Sequence, residues 1–87
     1  MTKNKMAPLA DEVPWSTRLT KYDEAHFLVY LRLLDARSKG ASDEEMVQII
    51  VETDPDKNRE DAVRSMRSHL ERARWMTEEG YSGLFDE

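Results

Sequence analysis

Two histidines and many carboxylates are the residues in this sequence whose chemistry could support catalysis or metal binding. His26 and His69 fall on different predicted helices, and neither has a carboxylate or a second histidine at metal-ligand spacing. The acidic residues do not follow the spacing of a calcium-binding loop, and Gly40, Gly80 and Gly83 form no phosphate-binding loop. We therefore expect no enzyme activity, no cofactor and no metal site. His69, on the apolar side of its helix, is expected to be a hydrogen-bonded core residue.

Arginines along the longest predicted helix, residues 58–79, are the second set with functional chemistry. The periodicity of this helix turns one apolar side toward a core, formed by Ala62, Val63, Met66, His69, Leu70, Ala73 and Met76. If the polar side lay in a DNA major groove, Arg64, Arg67 and Arg72 would read bases or contact phosphates. A solvated charged surface is the alternative interpretation.

The distribution of charge argues against DNA binding. The chain has 13 Lys and Arg against 18 Asp and Glu, a net charge of −5. Residues 57–74 hold six basic and three acidic residues, which leaves −8 for the rest. Each acid near a phosphate would add repulsion and release no counterion. The acidic surface predicted to oppose DNA binding consists of Asp43, Glu44, Glu45, Glu52, Asp54 and Asp56.

Length and composition limit the remaining possibilities. The 87 residues are enough for one domain with a small core. The chain has no cysteine, which excludes disulfides and thiolate metal sites and fits a reducing compartment. No apolar run is long enough to cross a membrane, and the N-terminus lacks the apolar core of a signal peptide. These features predict a cytoplasmic protein.

Helix-capping signals set the boundaries of the predicted elements. Two pairs of residues have the spacing of capping boxes, and a proline bars a helix through one turn. These signals predict helices over residues 23–38 and 43–51, joined to the long helix by a turn over residues 52–57. The capping boxes are Thr20 with Asp23 and Ser42 with Glu45, the proline is Pro55, and the residues predicted to begin or end the long helix are Asp56 or Asn58 and Gly80.

The two ends of the chain differ from the helical part. Residues 1–18 carry two prolines, mixed charge and no periodicity, and are predicted to form a flexible N-terminal arm ahead of a helical domain over residues 19–87. Trp15 either folds back over an apolar edge of the domain or helps to grip a partner. The apolar segment from Tyr81 to Phe85 is expected to pack back against the core.

The first predicted helix has apolar residues on two sides, whereas a helix in a small monomer normally has one apolar face. One stripe comprises Phe27, Leu31 and Leu34, and the other comprises Tyr22, Ala25, Val29, Leu33 and Ala36. Either the helix lies in the centre of the domain, or one stripe faces the core and the other a partner. Both interpretations remain open from the sequence.

Six short segments, in this order, resemble a proteobacterial family of domains of unknown function that is carried on integrative and conjugative elements. The resemblance extends over residues 20–85. The segments are Tyr22–His26, Tyr30–Ala36, Gly40–Ala41, Asp54–Pro55, Ser68–Met76 and Gly80–Tyr81.

This resemblance implies an all-α fold, a small helical domain that is a helix-turn-helix variant with an extended turn. In activators of this family, one face of the domain binds DNA and the opposite face contacts a second, N-terminal domain. This chain has only a short arm in place of that second domain, and its DNA side is predicted to be acidic. Acidic members of this kind are similar to rhizobial antiactivators of the QseM type, which repress conjugative transfer.

The resemblance therefore implies an antiactivator with two partners, the N-terminal domain of a transcriptional activator and a LuxR-type quorum-sensing regulator. DNA binding is expected to be weak or absent, and no membrane is involved. The candidate contact surface on this chain is the second stripe, represented by Tyr22, Val29 and Leu33 with Arg37 at the rim; the alternative is that this stripe is core. A DNA-binding regulator and a structural or toxin-neutralising helical module are the other functional interpretations.

Overall fold

Residues 9–80 are described by a computed structural model, and every regular element among them is helical. The elements are α1 (Lys21–Ala25), α2 (Phe27–Ser38), α3 (Asp43–Thr53), α4 (Arg59–Trp75) and a π-helical turn, Met76–Gly80, that continues α4. The predicted all-α class is confirmed. Helices α3 and α4 are arranged in the order of a helix-turn-helix, with α2 ahead of them, and residues 54–58 connect them where the motif normally has three or four residues.

Both predicted capping boxes are formed. The hydroxyl of Thr20 accepts the backbone N–H of Asp23 at 3.1 Å, and the carboxylate of Asp23 accepts the N–H of Thr20 at 2.9 Å. Ser42 and Glu45 exchange the same two bonds at the start of α3, and Asn58 caps α4 through its side-chain oxygen. Because these bonds satisfy N–H groups that have no partner inside the helix, they fix where each helix begins.

Two helix boundaries differ from the prediction. The first predicted helix is interrupted at His26, whose backbone (φ −119°, ψ 21°) is not helical, and α1 and α2 lie on either side of it. Helix α3 continues to Thr53, two residues beyond the predicted end, because the conformational restriction imposed by Pro55 applies only from Asp54 onward. Gly80, predicted to end the long helix, is the last residue of the π-helical turn.

The core lies between α2, α3 and α4. Leu33, Ile50 and Ala62 are fully buried, one from each of these helices. The predicted inner side of the long helix is confirmed, since all seven of its residues are buried except Val63, which is half-buried. Each of α2, α3 and α4 contacts the other two, so the three helices share one core.

The described part of the N-terminal arm, residues 9–18, lies against the helices. Leu9 is buried with the core residues of α2, α3 and α4, and Val13 is also buried. Side chains of the domain hold the arm by its backbone: Ser68 accepts the N–H of Val13 at 2.7 Å, and Ser65 donates to the carbonyl of Ala10 at 2.8 Å. Flexibility of the arm stays a prediction. The predicted apolar segment after Gly80 lies outside the described residues.

Candidate functional site

The polar side of α4, predicted to be the DNA-reading surface, presents only two of the three predicted arginines to solvent. Arg64 and Arg67 are exposed. The guanidinium of Arg64 lies 3.5 Å from the carboxylate of Asp61, whereas Arg67 takes part in none of the ion pairs found among residues 9–80. Arg67 is therefore the cation on this side of the helix that is most available to an external anion.

Arg72 is not a surface residue, and its prediction as a DNA contact is wrong. It is fully buried, and its guanidinium forms a two-pronged ion pair with the buried carboxylate of Asp23. Arg72 follows Ser65 by seven residues and His69 by three, so it lies on the margin of the buried side of α4. A base or a phosphate could reach it only if the domain opened.

The remaining donors of Arg72 hold the arm. Its Nη1 donates to the carbonyl of Ser16 at 2.6 Å, and its Nη2 donates to that of Arg18 at 2.9 Å. The guanidinium also lies 4.8 Å from the ring centroid of Trp15 and 4.2 Å from that of Trp75. Trp15 is thus folded back onto the domain although about half of it is exposed, and these contacts join the arm, α1 and α4.

Asp23 is kept ionised inside the domain. Burial by itself raises the pKa of this carboxyl, but hydrogen bonds from Arg72, from the backbone of Thr20 and from the hydroxyl of Tyr30 bring the pKa below its ordinary value. Tyr30 donates to the same carboxylate at 2.8 Å. The site is a satisfied buried charge pair, and its role in the described fold is structural.

The six residues of the predicted acidic surface lie where the sequence placed them, on α3 and the connector. Five are exposed, and the half-buried one, Asp54, accepts the N–H of Leu9 at 3.2 Å. Residues 43–67 contain eight acidic and four basic residues, a net charge of −4. Glu44 pairs with Arg59, Asp61 pairs with Arg64, and Lys57 pairs with Asp11 of the arm at 2.6 Å, so three of those four cations are already matched by acids. The effect of this surface on DNA binding stays a prediction.

The second stripe of α2 lies in the core, which is the alternative that the sequence left open, and the choice of this stripe as the contact surface is wrong. Val29 is 3% and Leu33 0% exposed, so these two predicted partner contacts belong to the core. Their side of α2 is buried because it packs against both α3 and α4, and only long-range packing determines which of two apolar stripes is chosen. Of the other two predicted contacts, Arg37 is exposed and Tyr22 is half-buried.

The exposed apolar residues of α2 are Phe27, Leu28 and Leu31, with 48%, 64% and 49% of their surfaces accessible. We call them the α2 strip. Phe27 and Leu31 belong to the stripe that was expected to face the core. Leu28 belongs to neither predicted stripe, and an apolar residue outside both stripes was the sequence signal that could have indicated this surface. Phe27 and Leu31 also border the end of α4, but the strip shares no residue with the predicted acidic surface or with the polar side of α4.

Beside the α2 strip runs a groove between α2 and the end of α4. Its walls are Leu19, Phe27, Tyr30, Leu31, Leu34, Ala73, Met76 and Thr77. A second depression, which shares Leu19, Phe27 and Met76, extends it toward α1. We call the first of these two depressions, which is lined almost entirely by apolar side chains, the α2–α4 groove.

His69 is a hydrogen-bonded core residue, as predicted. Its Nδ1 donates to the carbonyl of Ser65 at 2.7 Å, and because a carbonyl can only accept, the neutral ring accepts at Nε2 from the hydroxyl of Tyr22 at 2.6 Å. Tyr22 in turn accepts the N–H of Ala10 at 3.0 Å. Burial lowers the pKa of His69 to about 4, so the ring is neutral at physiological pH.

Comparison with known proteins identifies the class. Residues 3–85 match the family described as "T6SS, Transcription factor, DNA binding domain". The chain belongs to this family, and it is therefore a small domain of the DNA-binding type from transcription regulation, which is not an enzyme family. No curated protein matches the chain. None of the helices within residues 9–80 is both long and apolar enough to span a membrane.

Proposed function

We propose that the protein is an antiactivator that acts by protein–protein contact. It binds the N-terminal domain of a transcriptional activator and a LuxR-type quorum-sensing regulator, and it thereby represses transfer of an integrative and conjugative element. The family match supplies the regulatory context. The two partners come from the resemblance to conjugative-element domains described above.

The observation that carries this proposal is the α2 strip. Leu28 and Leu31, two large apolar side chains one turn apart on α2, are 64% and 49% exposed in a chain of 87 residues. A contiguous exposed apolar surface on a small monomer is a typical feature of protein contacts. The strip shares no residue with α3, the connector or the polar side of α4, so in this proposal the partner contact does not use the helix-turn-helix surface.

The charge of the helix-turn-helix surface supports the same proposal. Residues 43–67 carry a net charge of −4, and exposed carboxylates lie at the start of α3 and in the connector, where a DNA-bound motif approaches the phosphate backbone. Arg72 is unavailable because it is buried. An antiactivator that copies the partner-contacting surface of an activator, but does not bind DNA, would occupy the activator unproductively.

A DNA-binding regulator is the second candidate, because the family is one of DNA-binding domains and Arg64 and Arg67 are exposed on α4. In this alternative, Arg67 would contact a phosphate or a guanine edge in the major groove. Binding would then weaken steeply as salt concentration rises, since phosphate contacts release counterions.

Calorimetric titration of the full chain against the isolated activator domain, and separately against promoter duplex at physiological salt, tests both candidates. We expect a complex with the activator domain and no more DNA binding than a generic acidic protein gives. Leu31→Asp should weaken the protein complex by more than about 2 kcal/mol, because it places an unpaired carboxylate in a desolvated contact. Gln48→Asp, an equal charge change at an exposed position of α3, is the matched control and should bind like the parent.

Binding to the promoter in place of the activator domain would decide against the antiactivator. A submicromolar, salt-dependent complex with the promoter that Arg67→Ala weakens, together with no binding to the activator domain, would contradict the antiactivator proposal. It would establish the DNA-binding alternative.

A further inference from the structure

The α2–α4 groove offers no free hydrogen-bonding group in its side-chain walls. Only two of its lining side chains are polar, and both are already hydrogen-bonded: the hydroxyl of Tyr30 donates to Asp23 at 2.8 Å, and that of Thr77 donates to the carbonyl of Arg74 at 2.9 Å. Phe27 and Leu31 stand half-exposed at one edge. An occupant of this groove must therefore be apolar.

We propose that the occupant is the chain's own segment Tyr81–Phe85, which covers the groove in the free protein. Met76 and Thr77 form one wall, and the chain passes Gly80, one turn later, directly into this segment. Tyr81, Leu84 and Phe85 place three large apolar side chains within five residues. At roughly 3.3–3.6 Å per residue, five residues reach about 17 Å, enough to cross one helix–helix groove.

The connection through the backbone favours this segment over a second copy of the chain. A segment tethered a few residues from its site has an effective concentration on the order of millimolar, and an untethered copy would have to reach that concentration to compete equally. Gly80 and Gly83 lie before and within the segment in the sequence, and glycine permits the backbone conformations that this docking would require. The acidic residues that follow, Asp86 and Glu87, would remain in water beyond the groove.

This occupancy has a regulatory consequence that rests on the proposed function. Phe27 and Leu31 belong both to the groove and to the α2 strip. A partner that uses the strip must therefore displace the segment, which acts as an intramolecular competitor. The affinity that the activator domain shows for the full chain is then lower than its affinity for the open groove.

Docking is tested without any partner. Because the chain has no cysteine, Ser82→Cys gives a single site for a nitroxide label, whose paramagnetic broadening of the amide resonances of α2 is measured by NMR. We expect strong broadening over residues 27–34 that is lost when Leu84 and Phe85 are both replaced by Asp. Asp86→Asn with Glu87→Gln changes charge without removing apolar groups and should retain the broadening. Equal broadening in all three labelled proteins would overturn the docking.

Competition is tested by titrating the activator domain with the unlabelled Leu84→Asp, Phe85→Asp protein. We expect it to bind about tenfold more tightly than the parent, and unchanged or weaker binding would overturn the competition. If neither protein binds the activator domain, the proposed function fails, while the NMR comparison still decides whether the segment occupies the groove.

Discussion

Arg72 and Asp23, 49 residues apart in the chain, form a buried two-pronged ion pair in which Nε–Oδ1 is 3.0 Å and Nη2–Oδ2 is 2.6 Å. Both side chains are almost completely inaccessible to solvent. Removing one partner of such a pair leaves an uncompensated buried charge, which is far more destabilising than loss of a surface ion pair. Removal of either partner alone is therefore expected to destabilise the fold strongly.

Arg72→Met should lower the free energy of unfolding by about 3–5 kcal/mol, because Asp23 would stay buried without its cation. Arg67→Met, at an exposed position of the same helix, should change it by no more than about 0.5 kcal/mol. Urea unfolding followed by circular dichroism measures both. Equal effects of the two substitutions would mean that the buried pair is not a determinant of stability.

The two apolar sides of α2 give a matched pair of substitutions. Leu33→Ala should destabilise the protein by roughly 2–5 kcal/mol, since Leu33 is fully buried and a cavity would remain. Leu28→Ala, with the parent residue 64% exposed, should have an effect within about 0.5 kcal/mol. The difference in urea midpoint between the two variants measures this directly. A reversed order would restore the orientation of α2 that the sequence predicted.

Local signals explain why the helices were predicted well. The capping boxes at Thr20 and Ser42 and the restriction before Pro55 depend on residues no more than three positions apart, so the sequence contains all the information they need. The apolar side of α4 was also predictable, because its outer side is strongly polar and leaves one choice of core face.

Contacts between distant residues explain what was not predicted. Helix α2 is apolar on two sides, and only its packing against α3 and α4 determines that Leu33 is buried and Leu31 exposed. Arg72 was assigned to the surface because an unpaired arginine is rarely buried, and its partner Asp23 cannot be identified from spacing. Val29 and Leu33, two of the four predicted contact residues, were therefore assigned to a side of α2 that is buried.

The arm provides a test of its predicted flexibility. Leu9 is 3% exposed and lies among core residues of α2, α3 and α4, so Leu9→Ala should cost roughly 2–5 kcal/mol of unfolding free energy. Glu12→Ala, three residues later and exposed, should be close to neutral. Thermal and urea unfolding of the two variants measure this. If Leu9→Ala unfolds like the parent, the arm is flexible in solution, as the sequence predicted.

The last prediction concerns acid. Burial lowers the pKa of His69 to about 4, whereas a histidine in an unfolded chain titrates near 6.5. Between these values, the unfolded chain binds a proton that the folded chain does not, so the free energy of unfolding falls as pH decreases. Burial also lowers the pKa of His26, and that contribution has the same sign. The lowered pKa of Asp23 acts mainly below about pH 5, where the unfolded carboxyl begins to take up a proton.

Because of His69 alone, the free energy of unfolding should therefore fall by on the order of 3 kcal/mol between pH 6.5 and pH 4, at about 1.4 kcal/mol per pH unit. Urea unfolding at intervals from pH 7.5 to pH 4.5 measures the slope for the parent and for His69→Gln. The variant loses the hydrogen bonds to Tyr22 and Ser65 and should be less stable than the parent at pH 7.5. Its stability should nevertheless decline with a clearly smaller slope, since of the two histidines only His26 then contributes. An unchanged slope would show that His69 is already protonated in the folded protein, and the neutral, Tyr22-bonded ring would be the wrong description of the core.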